Sequence, residues 1–333
     1  MRGGSYEVKL GWLDGIVLIY RDLRLVFDPV GKRGITSDSK IFISHAHSDH
    51  TYGFSLNNQK YSTPETREIY ERVRGRKVRN VQEVPIGTKI KFDDVEVEVL
   101  NSGHILGSAQ FRVVTPEKVL LYTGDINCVD TLVTEAADWE PCDEAVMEAT
   151  YGDPSYIFPE RNLVYANMVK WATRKVKEGK IPAFRAYAVG KAQEIIKLFN
   201  LYTRVPVVSD LKVAKVNEAY LRARVPLNYG RSLRLGGKES PFIYVSSNPR
   251  ASGRRFVEAV ATGWALRAWG EEGAFPLSSH ADFNQLMDYV ERIKARKVHL
   301  FTGQSRIQSY FRRKLKVEAG PLPPLELSQR KLT

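Results

Sequence analysis

The sequence predicts an α/β fold, on three observations. Short apolar runs repeatedly end in polar loops rich in potential ligands, the middle of the chain alternates strand and helix patterns, and the composition suits a packed protein. A chain of 333 residues, 43% hydrophobic and 26% charged, can bury one large core plus an inserted lobe and excludes wholesale disorder.

The elements follow in order. Leu25-Val26-Phe27 is an apolar strand that ends at Asp28-Pro29. Lys40-Ile41-Phe42-Ile43 is a second, and it runs directly into Ser44-His45-Ala46-His47-Ser48-Asp49-His50. His45, His47, Asp49 and His50 offer four potential ligands in that one loop. A strand terminus feeding a tight loop lets neutral imidazoles and a carboxylate converge on one point, and zinc and its neighbours prefer that nitrogen and oxygen set. The alternative is a capping loop that happens to be rich in histidine, but histidine is uncommon and the density argues against it.

Val95-Glu96-Val97-Glu98-Val99-Leu100 alternates as a half-buried strand should. It leads to Asn101-Ser102-Gly103-His104-Ile105-Leu106-Gly107-Ser108, which presents one imidazole between glycines. Val119-Leu120-Leu121-Tyr122 is an apolar strand followed by Thr123-Gly124-Asp125. Alone, Gly124-Asp125 would read as a turn or a cap; after the histidine cluster it reads as a carboxylate that bridges metals. A further strand, Asp143 to Ala149, carries Glu148 at its end, and Phe275-Pro276-Leu277-Ser278-Ser279-His280-Ala281-Asp282 supplies the fifth of the chain's six histidines to fall in these motifs. Taken singly, Glu148 could be an exposed strand end and His280 part of a helix-capping loop.

Between these motifs lies an inserted α/β pattern. Ala183 to Glu194 reads as a strand, a glycine turn and a helix start, with Ala192, Ile195, Ile196, Leu198 and Phe199 on one apolar face. Val205-Pro206-Val207-Val208-Ser209 and Pro241 to Ser247 are further short strands, and their alternation with helices implies a parallel sheet. Gly190-Lys191 at a helix N-terminus could cradle a phosphate through free backbone N–H groups. It lacks the spacing of a dinucleotide loop, and packing is the preferred reading.

The ordered set His45-x-His47-x-Asp49-His50, then His104, then Asp125, resembles the metallo-β-lactamase superfamily. Glu148-Ala149-Thr150-Tyr151-Gly152 and Ser279-His280-Ala281-Asp282 are similar to signatures of its β-CASP group, which cuts nucleic acids. The order of Gly190-Lys191-Ala192-Gln193, Ala261-Thr262-Gly263-Trp264 and the His280 motif most resembles the DNA-ligase-associated exonucleases of that group, which are similar to mRNA 3′-end-processing factors. The resemblance implies an αββα sandwich, two mixed sheets faced by helices, formed by residues 1–152 and 271–333, with a β-CASP lobe inserted at 153–270. It implies that His45, His47 and His104 hold one metal, that Asp49 and His50 hold another, and that Asp125 bridges them. Asp28 matches an early strand-end carboxylate that orients ligands. Zinc is the expected metal, in one or two sites, with manganese as the alternative. A metal lowers the pKa of bound water to about 7, so hydroxide is the expected nucleophile, with the metals stabilising the charge that develops on the phosphate. The resemblance gives His280, oriented by Glu148, the task of protonating the leaving oxygen. Glu148, His280 and Asp49 are thus the expected catalytic residues, and the product should carry a 5′-phosphate.

One position departs from the pattern. The family usually carries a further ligand in a strand-end His-Gly pair near the C-terminus, and here Gly303 is preceded by Thr302. His299 lies three positions before Thr302 and should face the opposite side of the strand. A threonine hydroxyl is a poor zinc ligand, so the second site, left with Asp49, His50 and Asp125, should bind more weakly. The resemblance associates a non-ligand here with DNA as substrate and histidine with RNA.

The net charge of +12 favours a polyanionic partner. Arg250, Arg254 and Arg255, together with Lys191, are the expected phosphate contacts, since the arginines follow a strand end in the inserted lobe and can form paired hydrogen bonds to phosphate. Arg174, Lys175 and Lys177, and Arg312, Arg313, Lys314 and Lys316, read as solvated helix faces. The expected function is a metal-dependent DNA exonuclease in repair or processing, with single-stranded DNA as the favoured partner, RNA as the alternative, and a DNA ligase or helicase as an open partner. RNA processing by the same chemistry and a non-catalytic nucleic-acid scaffold are the competing readings. With no run of eighteen apolar residues and no signal-peptide core, no membrane association is expected. Cys128 and Cys142 give no disulfide framework, and a reducing cytoplasm is the expected compartment. Cys128, close to Asp125, is read as a loop thiol. The three prolines of Gly320 to Leu325 are expected to keep that stretch out of helix and sheet.

Overall fold

The computed structural model describes residues 6–231, 241–248 and 255–325. Its first sheet is built from β1 (Val8–Trp12), β2 (Ile16–Tyr20), β3 (Leu23–Phe27), β4 (Lys40–Phe42), β5 (Lys60–Ser62) and β6 (Val81–Glu83), in that spatial order. The first three strands are an antiparallel meander and the remainder run parallel. Helix α1 (Pro64–Arg74) follows β5, capped by the Thr63 hydroxyl and opened by Pro64, whose missing N–H costs nothing there.

The second sheet begins with β7 (Lys89–Phe92), β8 (Val95–Asn101), β9 (Ala109–Val114), β10 (Val119–Tyr122) and β11 (Glu144–Ala149). β8 alternates as its sequence requires. Val95, Val97 and Val99 are buried, while Glu98 turns outward to Lys89 and Arg112. The two sheets meet face to face through Phe27 and Phe42 on one side and Phe111 on the other, with ring centroids 5.7 and 5.1 Å apart. Aromatic pairs at such separations add to the stabilisation from burial alone.

The chain then leaves the sandwich. Helix α2 (Arg161–Lys177), β12 (Ile181–Arg185), α3 (Lys191–Tyr202), β13 (Val207–Ser209), α4 (Leu211–Arg222), β14 (Gly230–Arg231), β15 (Ile243–Ser246), β16 (Phe256–Ala261) and β17 (Ala274–Phe275) form the inserted lobe. Its sheet is parallel throughout, in the order β14-β13-β15-β12-β16-β17. β17 pairs within this sheet, so the lobe's last strand lies beyond the expected boundary at 270. The apolar face foreseen on α3 is buried, with Ala192, Ile195, Ile196, Leu198 and Phe199 at 0% exposure.

Helix α5 (Phe283–Ile293), opened by an Asp282–Gln285 capping box, then covers the outer face of the second sheet, and β18 (Lys297–Gly303) and β19 (Glu318–Pro321) complete that sheet beside β11. With α1 over the first sheet and α5 over the second, the architecture is the αββα sandwich with an inserted α/β lobe. One expectation is overturned. The proline-rich tail is not outside the sheets: β19 pairs in parallel with β18 as far as Pro321, and Trp12 exchanges backbone bonds with Pro323 and Leu325. Proline is tolerated here because edge strands do not require every N–H.

No helix among the described residues is long and apolar enough to cross a membrane.

Candidate metal centre

β3, β4, β8, β10, β11 and β18 end on one side of the sandwich, and their C-terminal loops bring the motifs together. The loop after β4 carries His45, His47, Asp49 and His50; the loop after β8 carries His104; the loop after β10 carries Asp125; β11 and β18 end in Glu148 and Thr302. Two glycines make the approach possible. Gly103 (φ +72°) precedes His104, and a Cβ there would lie 2.3 Å from the Asn127 carbonyl oxygen. Gly124 (φ +56°) precedes Asp125, and a Cβ there would lie 2.9 Å from Ser44 Cβ. Both need a left-handed backbone and no side chain.

Four atoms converge. Nδ1 of His47 lies 3.1 Å from Nε2 of His45 and 3.0 Å from Nε2 of His104. Asp125 Oδ2 lies 3.4 Å from Nε2 of His45 and 3.6 Å from that of His104. Ligands about 2.0–2.1 Å from a tetrahedral zinc stand about 3.3–3.4 Å from one another, so this set fits the ion. The opposite ring nitrogens fix the tautomers. Nδ1 of His104 donates to the Ser279 carbonyl at 2.7 Å, Nε2 of His47 donates to the Val189 carbonyl at 3.3 Å, and Nδ1 of His45 donates to Ser44 Oγ at 2.9 Å. Ser44 Oγ is committed as an acceptor because it gives its own proton to Asp28. Three nitrogen lone pairs and a carboxylate oxygen therefore face one point, an arrangement that repels itself unless a cation sits between them. Burial, together with neighbouring imidazoles, keeps the His47 and His104 rings neutral, with His47 lowered to about 3.

A second set lies beside the first. His50 Nε2 stands 3.7 Å from Asp125 Oδ1 and 3.7 Å from Asp49 Oδ2, so Asp125 offers one oxygen to each set. Burial works against a charged His50, yet the Asp125 and Asp28 carboxylates outweigh it and push the ring up to about 10. The position favours positive charge. Asp28 lies beneath the histidine loop, within reach of His45 and His50. Its Oδ1 accepts from Ser44 N, and its Oδ2 accepts from Ser44 Oγ, Tyr122 OH and His50 Nδ1, which fully engages Oδ2. Its backbone adopts φ +42°, which curls the carboxylate back beneath the histidine loop.

Glu148 is fully buried, and its Oε1 lies 3.0 Å from Nδ1 of His280, whose ring packs 4.4 Å from that of His104. Burial disfavours the His280 cation, but the Glu148 charge prevails and holds the ring above the ordinary imidazole value. Thr302 lines the same cleft and pairs across the sheet with Glu148, whereas His299 faces the far side, 3.8 Å from Glu144. The cleft encloses about 500 Å³ between sandwich and lobe, and Tyr187 and Trp264 stand on its lobe side.

The expected phosphate contacts fare differently. Lys191 lines the cleft but is buried, with Nζ donating to the Leu277 carbonyl at 2.7 Å and to Ser279 Oγ at 3.2 Å. Arg250 and Arg254 lie outside the described residues. Arg255 is a correction: it immediately precedes β16, where it bonds Gly179, while the cleft is reached only at Thr262. The intervening six-residue strand spans about 20 Å, because parallel strands that end at the cleft begin at the opposite edge. Arg174 and Lys175 are paired with Glu178 and Glu272, and Cys128 packs against the α5 cluster away from the histidines. Ser44, Tyr122 and Arg161, all tied into the site, carried no signal in the sequence.

Comparison with known proteins agrees with this geometry. A beta-lactamase superfamily domain matches residues 21–183, and a Zn-dependent metallo-hydrolase RNA specificity domain matches residues 274–324. The chain belongs to the β-CASP group of the metallo-β-lactamase superfamily. It is 28% identical over 280 residues to a "Probable DNA ligase" from Opitutus terrae, an alignment covering 79% of this chain and 26% of that protein. It is 31% identical over 137 residues to an "RNase J-like protein" from Methanocaldococcus jannaschii, covering 39% of this chain and 32% of the relative. The chain thus spans only about a quarter to a third of these relatives' length. A crystal structure of a protein of unknown function from Enterococcus faecalis superposes with a TM-score of 0.71 at 13% identity, covering 97% of this chain and 99% of that one, which shows the shared fold.

Proposed function

We propose that the protein is a metal-dependent nuclease that hydrolyses phosphodiester bonds in the cleft between sandwich and lobe. The observation that carries this reading is the convergence of three imidazole lone pairs and Asp125, with the Glu148–His280 pair directly beside them. His45, His47, His104 and Asp125 would hold one metal, and Asp49, His50 and Asp125 the other. When bound, such ions supply Lewis acidity toward a phosphate and lower the pKa of water. The chain's own residues do the rest. Glu148 fixes the His280 ring through Nδ1, which leaves Nε2 as the nitrogen able to protonate the leaving oxygen. The carbonyls of Val189 and Ser279 and the Ser44 hydroxyl keep the ligand rings in the tautomer that presents lone pairs inward.

For substrate, the reading favours single-stranded DNA, supported by the non-ligand Thr302 at the cleft and by the long alignment with the Opitutus terrae protein. RNA is the second reading, favoured by the domain described as conferring RNA specificity and by the RNase J-like relative. Zinc is the proposed resident metal, manganese the alternative, and cytoplasm the proposed compartment. A DNA ligase is a candidate partner on the strength of the Opitutus terrae name alone.

The test is a denaturing-gel time course on end-labelled single-stranded DNA and RNA of matched sequence, with zinc or manganese, beside an Asp125→Asn control. Preferential loss of DNA that disappears in the control is the expected result. RNA preference would retain the chemistry and change the substrate. Cleavage of neither would overturn the nuclease reading in favour of a binding scaffold.

A further inference from the structure

Four consecutive carbonyls in the loop before α5 are each taken by a donor. Lys191 Nζ binds that of Leu277 at 2.7 Å, an Arg161 guanidinium N–H binds that of Ser278, His104 Nδ1 binds that of Ser279 at 2.7 Å, and Ser278 Oγ binds that of His280 at 2.9 Å. The first two donors come from the inserted lobe, Arg161 from the start of α2 and Lys191 from the first position of α3. The third is a ligand of the metal set, and the fourth carbonyl belongs to the residue paired with Glu148. We infer that Lys191 and Arg161 are positioning residues, through which the inserted lobe sets the orientation of His104 and His280.

The cost of placing Lys191 there argues for a purpose. Its side chain is buried, and burial lowers its ammonium to about 8. It also sits at a helix N-terminus, where the backbone dipole opposes positive charge. A cation in such a place persists only when its partners compensate. The partners are the Leu277 carbonyl and the Ser279 hydroxyl, with the Glu194 carboxylate attracting it from the next turn. Glu194 is shared, since it also accepts from Arg161 and from Tyr165 OH. Two lobe cations and one lobe carboxylate therefore hold three successive residues of the loop. The same turn of the lobe reaches the metal set by a second route, because Val189, two residues before Lys191, accepts from His47. Two of the three Lys191 ammonium donors are spent on this loop, and the positioning role they serve is separate from the phosphate-contact role its sequence suggested.

The kinetic half of the inference rests on the nuclease reading, but its metal-binding half does not. The test uses Lys191→Met, which keeps chain length and removes the ammonium. Zinc affinity is measured by chelator competition on metal-free protein, and single-stranded DNA affinity across a salt series. The expected result is zinc binding weakened about tenfold, the size typical of removing an outer support of a metal ligand. kcat should fall with KM little changed, and the salt dependence of DNA binding should match that of the unmodified protein. Unchanged zinc affinity with a salt slope reduced by about one would mark a phosphate contact and overturn the inference. Should Lys191→Met fail to melt cooperatively, Ser279→Ala carries the test, since it removes one of the two acceptors and leaves the Leu277 contact. Weaker zinc binding in a normally folding Ser279→Ala protein supports the inference, and unchanged binding overturns it. Inactivity of the unmodified protein on every nucleic acid would end the nuclease reading while leaving the zinc comparison intact.

Discussion

His280 Nδ1 and Glu148 Oε1 lie 3.0 Å apart although 132 residues separate them in the chain. Glu148 is at 0% exposure and also receives the backbone N–H of Thr150, so its carboxylate is held from two sides. The histidine cannot turn its Nδ1 face elsewhere without leaving a buried charge unpaired. His280→Ala should lower kcat by about 10²–10⁴-fold, the range of a positioned general acid. Zinc content should remain unchanged. A phosphodiester with a strongly acidic leaving group should recover most of the lost rate, and an equal loss on both substrates would show that His280 does not protonate the leaving oxygen.

Asp125 offers an oxygen to each ligand set, at 3.4 Å from His45 and 3.7 Å from His50. Asp125→Asn should abolish cleavage while single-stranded nucleic acid still binds in a gel shift. Retained turnover would remove the two-metal assignment.

Thr302 lies in the cleft opposite Glu148 in the register of β11 and β18. Thr302→His should place an imidazole where the second set has only Asp49, His50 and Asp125, and so tighten the weaker site. A zinc titration reads this directly. Identical stoichiometry and affinity in the two proteins would mean that position 302 does not face the second set.

Asp28 accepts four hydrogen bonds beneath the histidine loop. Asp28→Asn keeps the shape and tolerates the positive φ, but it replaces one acceptor oxygen by a donor facing His50 and Tyr122. Zinc should bind about 10–100-fold more weakly, by analogy with other supports of metal ligands. Thermal unfolding of the metal-free protein should report a loss of about 1–3 kcal/mol. Unaltered zinc affinity would reduce Asp28 to a purely structural role.

The candidate ligands were legible because their chemistry is local: His45, His47, Asp49 and His50 occupy one loop, and His104 and Asp125 each follow an apolar strand by a glycine. The alternation of β8 and the apolar face of α3 were legible for the same reason. β16 was not, since its inward residues are Ala259 and Ala261, too small to stand out as an apolar pattern. The role of Arg161 was hidden because its partner Ser278 lies 117 residues away, and nothing in the residues around it signals that contact. Arg255 was misplaced because its neighbourhood was inferred from the preceding strand's end rather than from the direction of the strand it begins. The proline-rich tail misled because its prolines spoke against a strand, a rule that edge positions relax.

That tail bears on how the molecule behaves at high concentration. β1 and β19 terminate their sheets, and unpaired backbone at such margins is a template for joining another chain. By running from β19 to the outer side of Trp12, residues 322–325 satisfy part of β1 and tie the two sheets together at one margin. Pro323 and Pro324 within that stretch offer an approaching strand no N–H groups to grasp. This stretch thereby leaves less unpaired backbone at that margin than β1 alone would present.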